Sequence, residues 1–209
     1  MKRHLFYSAA MALTLLLTAC SGDDNNPTVD SVTDPDTNNP NPTPTYALGN
    51  TGPGGGIIFY LGTDGHGYEV GASLGLAKWD DAANLDNVEN VTGLGTEMGT
   101  GQANTDLIVA AIGDGTYAAK MCADYEQGGK DDWFLPSKVE LQTIYNYFRN
   151  CGCMGLSPSN NYWASSQGDH YTRAWNTDFS VNSATTEVNN WTFEVQKDQT
   201  LYVRPIRKF

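Results

Sequence analysis

Serine, histidine and a carboxylate, the side chains of nucleophilic hydrolysis, occur close together at Ser165, His170 and Asp178. Hydrolysis of that kind needs the nucleophile within hydrogen-bond reach of a base that the carboxylate orients. Nothing in the sequence puts Ser165 on a strained elbow, and an exposed loop histidine is the simpler reading of His170. Asp131 and Asp132 are a pair of carboxylates that could serve a glycosidase as acid and base. Neighbouring residues diverge in most backbones, however, and Trp133-Phe134-Leu135-Pro136 follows at once, so this pair reads as a solvated turn. Calcium would need about six to eight converging oxygens, and no alternating Asp pattern supplies them. Cys151-Gly152-Cys153 has no histidine or second cysteine pair at zinc-ligand spacing. The sequence therefore assigns no catalytic residue, no metal ligand and no cofactor.

The glycines from Gly52 to Gly56 could cradle a phosphate. Such a loop follows a strand and opens a helix, so that backbone N–H groups converge on the anion. Here the order is reversed: the apolar run Ile57-Ile58-Phe59-Tyr60-Leu61 comes after the glycines, and no Gly-Lys-Ser/Thr is present. The loop reads as the entrance to a strand, followed by a second turn at Gly62 to Gly67.

Ligand binding makes a weaker demand, met by rigid aromatics and adaptable amides on a preformed surface. The stretch from Ser157 to Trp191 is rich in both. Tyr162, Tyr171 and Trp191 are the candidates for stacking, and Asn161, His170, Asn176, Asp178, Asn182 and Asn190 for hydrogen bonding. Trp163 and Trp175 read as core, and Arg204 and Arg207 as partners in structural ion pairs.

The elements that must hold these groups follow a strand, helices, strands order. Asn104 or Thr105 can cap a helix through Leu107, Ile108, Ala110 and Ala111, broken near Gly113 to Gly115 and resumed over Ala118 to Tyr125. Ser137 and Glu140 form a capping box, and Leu141, Ile144, Tyr145 and Phe148 recur at helical spacing through Asn150. Strands are expected at Tyr162 to Ser166, Arg173 to Phe179, Thr185 to Asn189 and Leu201 to Ile206. The fold class is α+β, with helices segregated from an antiparallel sheet and the last strand paired with Ile57 to Leu61.

The first residues carry no fold. Met1-Lys2-Arg3, an apolar stretch from Ala9 to Leu17, and Leu17-Thr18-Ala19-Cys20 have the layout of a secretory signal, too short to span a bilayer. Leu17 to Cys20 resembles the lipobox of bacterial lipoproteins, which implies lipidation of Cys20 and anchoring by more than one chain. Residues 21–45 hold five prolines and five aspartates with no Lys or Arg, a composition that cannot bury enough surface to fold and reads as a disordered tether. Asp23 and Asp24 resemble the signal that exports lipoproteins to the outer face of some Gram-negative outer membranes. The binding domain is residues 46–209. With 19 acidic and 10 basic side chains, it lacks the positive footprint that nucleic acid, anionic membranes or sulfated glycans demand.

With Cys20 taken by lipid, Cys122, Cys151 and Cys153 remain, an odd number. A bridge between Cys151 and Cys153 would close a very tight ring, so the expectation is a bridge from Cys122 to one of them, contributing roughly 3 to 3.5 kcal/mol.

Seven segments occur in the order found in the Lcl C-terminal domain family, named from a bacterial collagen-like adhesin: TGPGGGIIFY, GTGQANTDLIV, AAKMCADY, DDWFLPSKVELQTIY, YWASSQ, AWNTDFS and YVRPIRKF. The resemblance covers nearly all of Gly49 to Phe209. It implies a C-type-lectin-like domain, with two helices flanking antiparallel sheets and paired terminal strands, that binds a glycan or surface protein at the cell surface. The collagen-like stalk is missing, so stalk-driven trimerisation is not implied and the oligomeric state stays open. Alternatives are a secreted glycan hydrolase, a structural subunit of a surface filament or outer-membrane complex, and a variable receptor diversified by retroelements.

Overall fold

Ser137 starts the best-specified element, the helix α3 (Lys138–Cys151). The Glu140 N–H donates to its hydroxyl at 3.3 Å, while the Ser137 N–H donates to the Glu140 carboxylate at 2.7 Å. This reciprocal pair satisfies two orphan donors of the first turn. Gly152, at φ +61°, closes the other end with its N–H on the Phe148 carbonyl, a left-handed position that glycine adopts at low cost. Leu141, Ile144, Tyr145 and Phe148 form the buried face.

The computed structural model describes residues 46–152, 160–180 and 192–209. The expected leader with Cys20, the expected tether, Cys153, the expected strand Thr185 to Asn189, and Asn182, Asn190 and Trp191 lie outside the described residues. Pro44–Phe209 forms one compact unit. The described elements run β1 (Ile57–Leu61), β2 (Gly67–Val70), β3 (Gly75–Ala77), a 3-10 turn at Leu85–Asn87, α1 (Gly101–Ile112), α2 (Ala118–Ala123), α3, β4 (Asn161–Gln167), β5 (Arg173–Asp178), β6 (Thr192–Gln196), β7 (Leu201–Val203) and β8 (Ile206–Lys208).

The described residues form a mixed α+β fold with two sheets. One has the order β1-β2-β8, the other β3-β7-β4-β5-β6. All described pairings are antiparallel except β4 with β7. The expected last strand, Leu201 to Ile206, is in fact two strands in different sheets. Pro205, which has no N–H to give a ladder, sits at the crossing. β8 pairs with β2, not with β1 as expected. The first and last strands thus share a sheet with β2 between them.

β4 is the central strand and explains where the core sits. Tyr162 and Ala164 enter one buried cluster with Phe59, Tyr68, Leu141, Ile144, Tyr145 and Phe179. Trp163, pointing to the opposite face, enters a second cluster with Trp79, Ile108, Tyr117, Cys122 and Leu135. A strand covered on both faces buries every side chain, so Tyr162, Trp163, Ala164, Ser165 and Ser166 are all buried.

The helix α1 begins at Gly101, earlier than expected, with Thr100 as its N-cap. Asn104 and Thr105 lie inside it and make tertiary bonds instead of capping. Asn104 receives the Gly95 N–H and donates to Ser165 Oγ at 3.0 Å. Thr105 receives the Leu135 N–H at 3.0 Å.

Candidate functional site

The expected binding residues divide into an interior set and an exposed set. Tyr162 is only 2% exposed, with ring contacts to Phe179 and Tyr202. Asn176 is fully buried, its amide donating to the Phe193 carbonyl at 2.7 Å and accepting from Asn161 Nδ2 at 3.2 Å. Neither faces a ligand, which corrects the expectation for both. The reason is the sheet: β4 and β5 lie inside it, and a buried amide must satisfy itself within the protein. Asn161 is half-buried and committed to Asn176. Asp178 is half-buried and accepts the Ser180 N–H at 2.7 Å.

His170 and Tyr171 are exposed, on the turn between β4 and β5. Their rings lie 4.8 Å apart, tilted by 30°. The turn is braced at several points. The Gly168 N–H reaches the Arg173 carbonyl at 2.8 Å and the Arg173 N–H the His170 carbonyl at 2.9 Å. The Asp169 N–H donates to Glu194 on β6 at 3.0 Å, and the Lys197 N–H to the Thr172 carbonyl at 2.9 Å. The Thr172 N–H donates to His170 Nδ1, which ties the ring to the turn. These bonds fix the backbone beneath two exposed rings, so a ligand would meet little ordering cost there.

Trp175, on the neighbouring strand, is half-buried, and the Lys138 ammonium sits 3.2 Å from its ring centroid. A cation over an indole face is a favourable contact and occupies the face that a ligand would stack on. Phe193 on β6 is 37% exposed.

The residues weighed for hydrolysis have separate partners. Ser165 is fully buried and bonded to Asn104, His170 is bonded to Thr172 and Asp178 to the Ser180 N–H. No serine–histidine–aspartate relay joins them. Asp132 accepts from Arg207 Nε. Burial would raise its carboxyl, but the Arg207 bond and charge outweigh that and hold it below its ordinary value. Asp131 is exposed.

The glycine loop does bind an anion, one supplied by the protein. The Gly54 and Gly56 N–H groups donate to the two oxygens of Glu69 at 2.8 and 2.9 Å, and Arg207 Nη1 adds a third bond at 3.0 Å. A Cβ on Gly52 or Gly54 would overlap this carboxylate. Glycine spacing alone signals an anion cradle, and only a buried glutamate in the partnering strand tells that the anion is internal.

Two further ionisable groups are fully buried: Glu140, whose capping role was expected but not its burial, and Lys197, which sequence reading missed. Burial raises the Glu140 carboxyl, against the bonds it accepts from Ser137 and Gly99. Lys197 has no exposed surface; its ammonium donates to the Glu89 carbonyl and Gln167 Oε1 and lies 4.1 Å from the Trp79 ring centroid. Burial pulls it down to about 8, against the raising fields of Asp80 and Glu89.

The expected bridge from Cys122 is not formed. Cys122 is a free thiol buried in the second cluster, and burial pushes it well above its ordinary value. Cys151 is disulfide-bonded, to a partner outside the described residues. Helix α2 carries Cys122 inward among Trp79, Ile108 and Leu135, where it packs as a small apolar group.

Among the described residues, no helix is long and apolar enough to cross a membrane. No protein-family model matches the chain, and no curated protein matches it.

Proposed function

We propose that the chain is a lipid-anchored binding module of C-type-lectin-like fold, displayed on the outer face of a Gram-negative outer membrane, that holds a carbohydrate or protein partner without transforming it. One observation carries the reading: His170 and Tyr171 stand exposed on a turn braced by backbone bonds, while Ser165 and Asp178 are each spent on structural bonds elsewhere. A rigid, exposed pair of rings suits recognition by stacking and hydrogen bonding. The C-type-lectin-like assignment is supported by the α+β order, the helices packed against the strands, and the first and last strands lying in one sheet. The domain's acidity favours an uncharged or cationic ligand.

The test is a glycan and surface-protein array probed with the purified full chain, with and without chelator. Retention of at least one ligand in chelator, reduced tenfold or more by Tyr171→Ala together with His170→Ala, supports the reading. Absence of any retained ligand, or retention indifferent to both substitutions, contradicts it. Cys20→Ser should release the protein from membranes; persistence through washing would contradict the anchor.

A further inference from the structure

The three-stranded sheet carries a cleft of about 330 Å³, walled by Tyr60, Asp64, His66, Tyr68, Met98 and Lys208 among others. None of these belongs to the β4–β5 turn, and none is used by the binding surface described above. Its volume lies at the lower end of small-molecule sites, which run from roughly 300 to 1,000 Å³.

The chemistry of its walls is specific. Tyr60 is 38% exposed and meets Tyr68 edge to face at 5.9 Å, an arrangement that fixes its ring and leaves apolar surface for a ligand. Tyr68 is only 5% exposed, yet its hydroxyl has no hydrogen-bond partner among the described residues. Burial, then the fields of Glu140 and Tyr60, raises its pKa, so it stays a neutral O–H donor. A phenol on a nearly buried ring ordinarily finds a partner, and here the cleft is the open direction.

The turn beside the cleft is closed on itself. The Gly62 N–H donates to the His66 carbonyl at 2.7 Å, and the His66 N–H to Asp64 Oδ1 at 3.2 Å. His66 Nδ1 lies 3.1 Å from the Phe209 carbonyl oxygen, which fixes the ring and turns Nε2 away from that contact. Asp64 keeps a second oxygen. Lys208, opposite Tyr68 in the β2–β8 register, has no anionic partner among the described residues.

We propose that this cleft binds one uncharged sugar residue. The apolar face of the ring stacks on Tyr60, one hydroxyl accepts from Tyr68, and vicinal hydroxyls divide between the Asp64 carboxylate and the Lys208 ammonium. A carboxylate and an ammonium in one cleft offer an acceptor and a donor with no net charge, which matches adjacent hydroxyls that each donate and accept. The chain's net charge of −12 disfavours an anionic ligand. This site goes beyond the β4–β5 turn and stands whether or not that turn binds anything.

The test is calorimetric titration of the full lipidated chain, in a zwitterionic detergent, with methyl glycosides of glucose, galactose, mannose, N-acetylglucosamine and glucuronic acid. At least one neutral glycoside binds. Tyr68→Phe weakens it about tenfold, the loss of one hydrogen bond, and leaves the melting temperature unchanged because that hydroxyl has no protein partner. Tyr60→Ala removes detectable binding, whereas Tyr171→Ala leaves it intact, which separates this site from the turn. Binding of none of the neutral glycosides, binding of the glucuronide alone, or binding indifferent to Tyr68→Phe overturns the proposal. Should Tyr60→Ala fold poorly, Tyr68→Phe decides by itself.

Discussion

Glu69 on β2 and Arg207 on β8 stand opposite each other in register, with Arg207 Nη1 donating to Glu69 Oε1 across 3.0 Å. Glu69 is fully buried and also receives the Gly54 and Gly56 N–H groups. The pair therefore joins the entrance loop, β2 and β8 at one point. A buried pair contributes little net stability over an apolar replacement, but removing Glu69 leaves the Gly54 and Gly56 N–H groups unpaired and Arg207 with Asp132 alone, at a cost of about 3 to 5 kcal/mol. Glu69→Ala should lower the free energy of unfolding by that amount in urea titrations. A loss below about 1 kcal/mol would show that Arg207 does not depend on it.

Lys197 predicts an alkaline gain in stability. Its folded pKa, about 8, lies below the ordinary lysine value of 10.5. Between these two values the unfolded chain holds a proton that the folded chain has released, so this group's contribution rises with pH across the window. Below about pH 8 both states hold the proton and the folded state bears the full cost of burial. Relative to Lys197→Met, the wild type should gain about 3 kcal/mol from pH 8 to 10.5, at roughly 1.4 kcal/mol per unit. Urea titrations of both proteins over that range measure it, and a difference flat with pH contradicts it.

Cys122 should be inert in the native state. Burial holds it as a thiol, and the thiolate is the reactive form. Iodoacetamide at pH 8 is expected to leave it unmodified until denaturant is added, and a non-reduced digest should contain its free peptide. Alkylation of the native protein as fast as of the unfolded chain would contradict this.

Ser165 and His170 should respond differently to truncation. Ser165→Ala removes the acceptor for Asn104 in a buried site and should cost about 1 to 3 kcal/mol. His170→Ala lies on an exposed turn, and its effect should stay within about 0.5 kcal/mol. Thermal or urea unfolding compares them; equal losses would contradict the structural role of Ser165.

What the sequence made legible was local. The Ser137–Glu140 box, the break after Ile112 and the strand at Ile57 to Leu61 each follow from residues within one or two turns of chain. β2 was missed because it has only four residues and Glu69 stands in its middle, satisfied by glycines 13 and 15 positions away. Asn104 and Thr105 look like caps because their side chains compete for nearby backbone, yet tertiary partners claim both. Tyr162 and Asn176 look like ligand groups by type alone. Only the position of β4 and β5 within a five-stranded sheet shows that both belong to the interior. The Tyr60–Tyr68 cleft was equally hidden, since it brings together a turn, three strands and Met98.

Whether the protein grips a partner without altering it is tested most directly by the fate of the ligand. The glycan retained best on the array is incubated with the full chain, then analysed by mass spectrometry and by assay of new reducing ends. An unchanged mass and no new ends are expected after many binding cycles. Shortened product, lost on substitution of His170 or Asp178, would contradict it and identify a hydrolase.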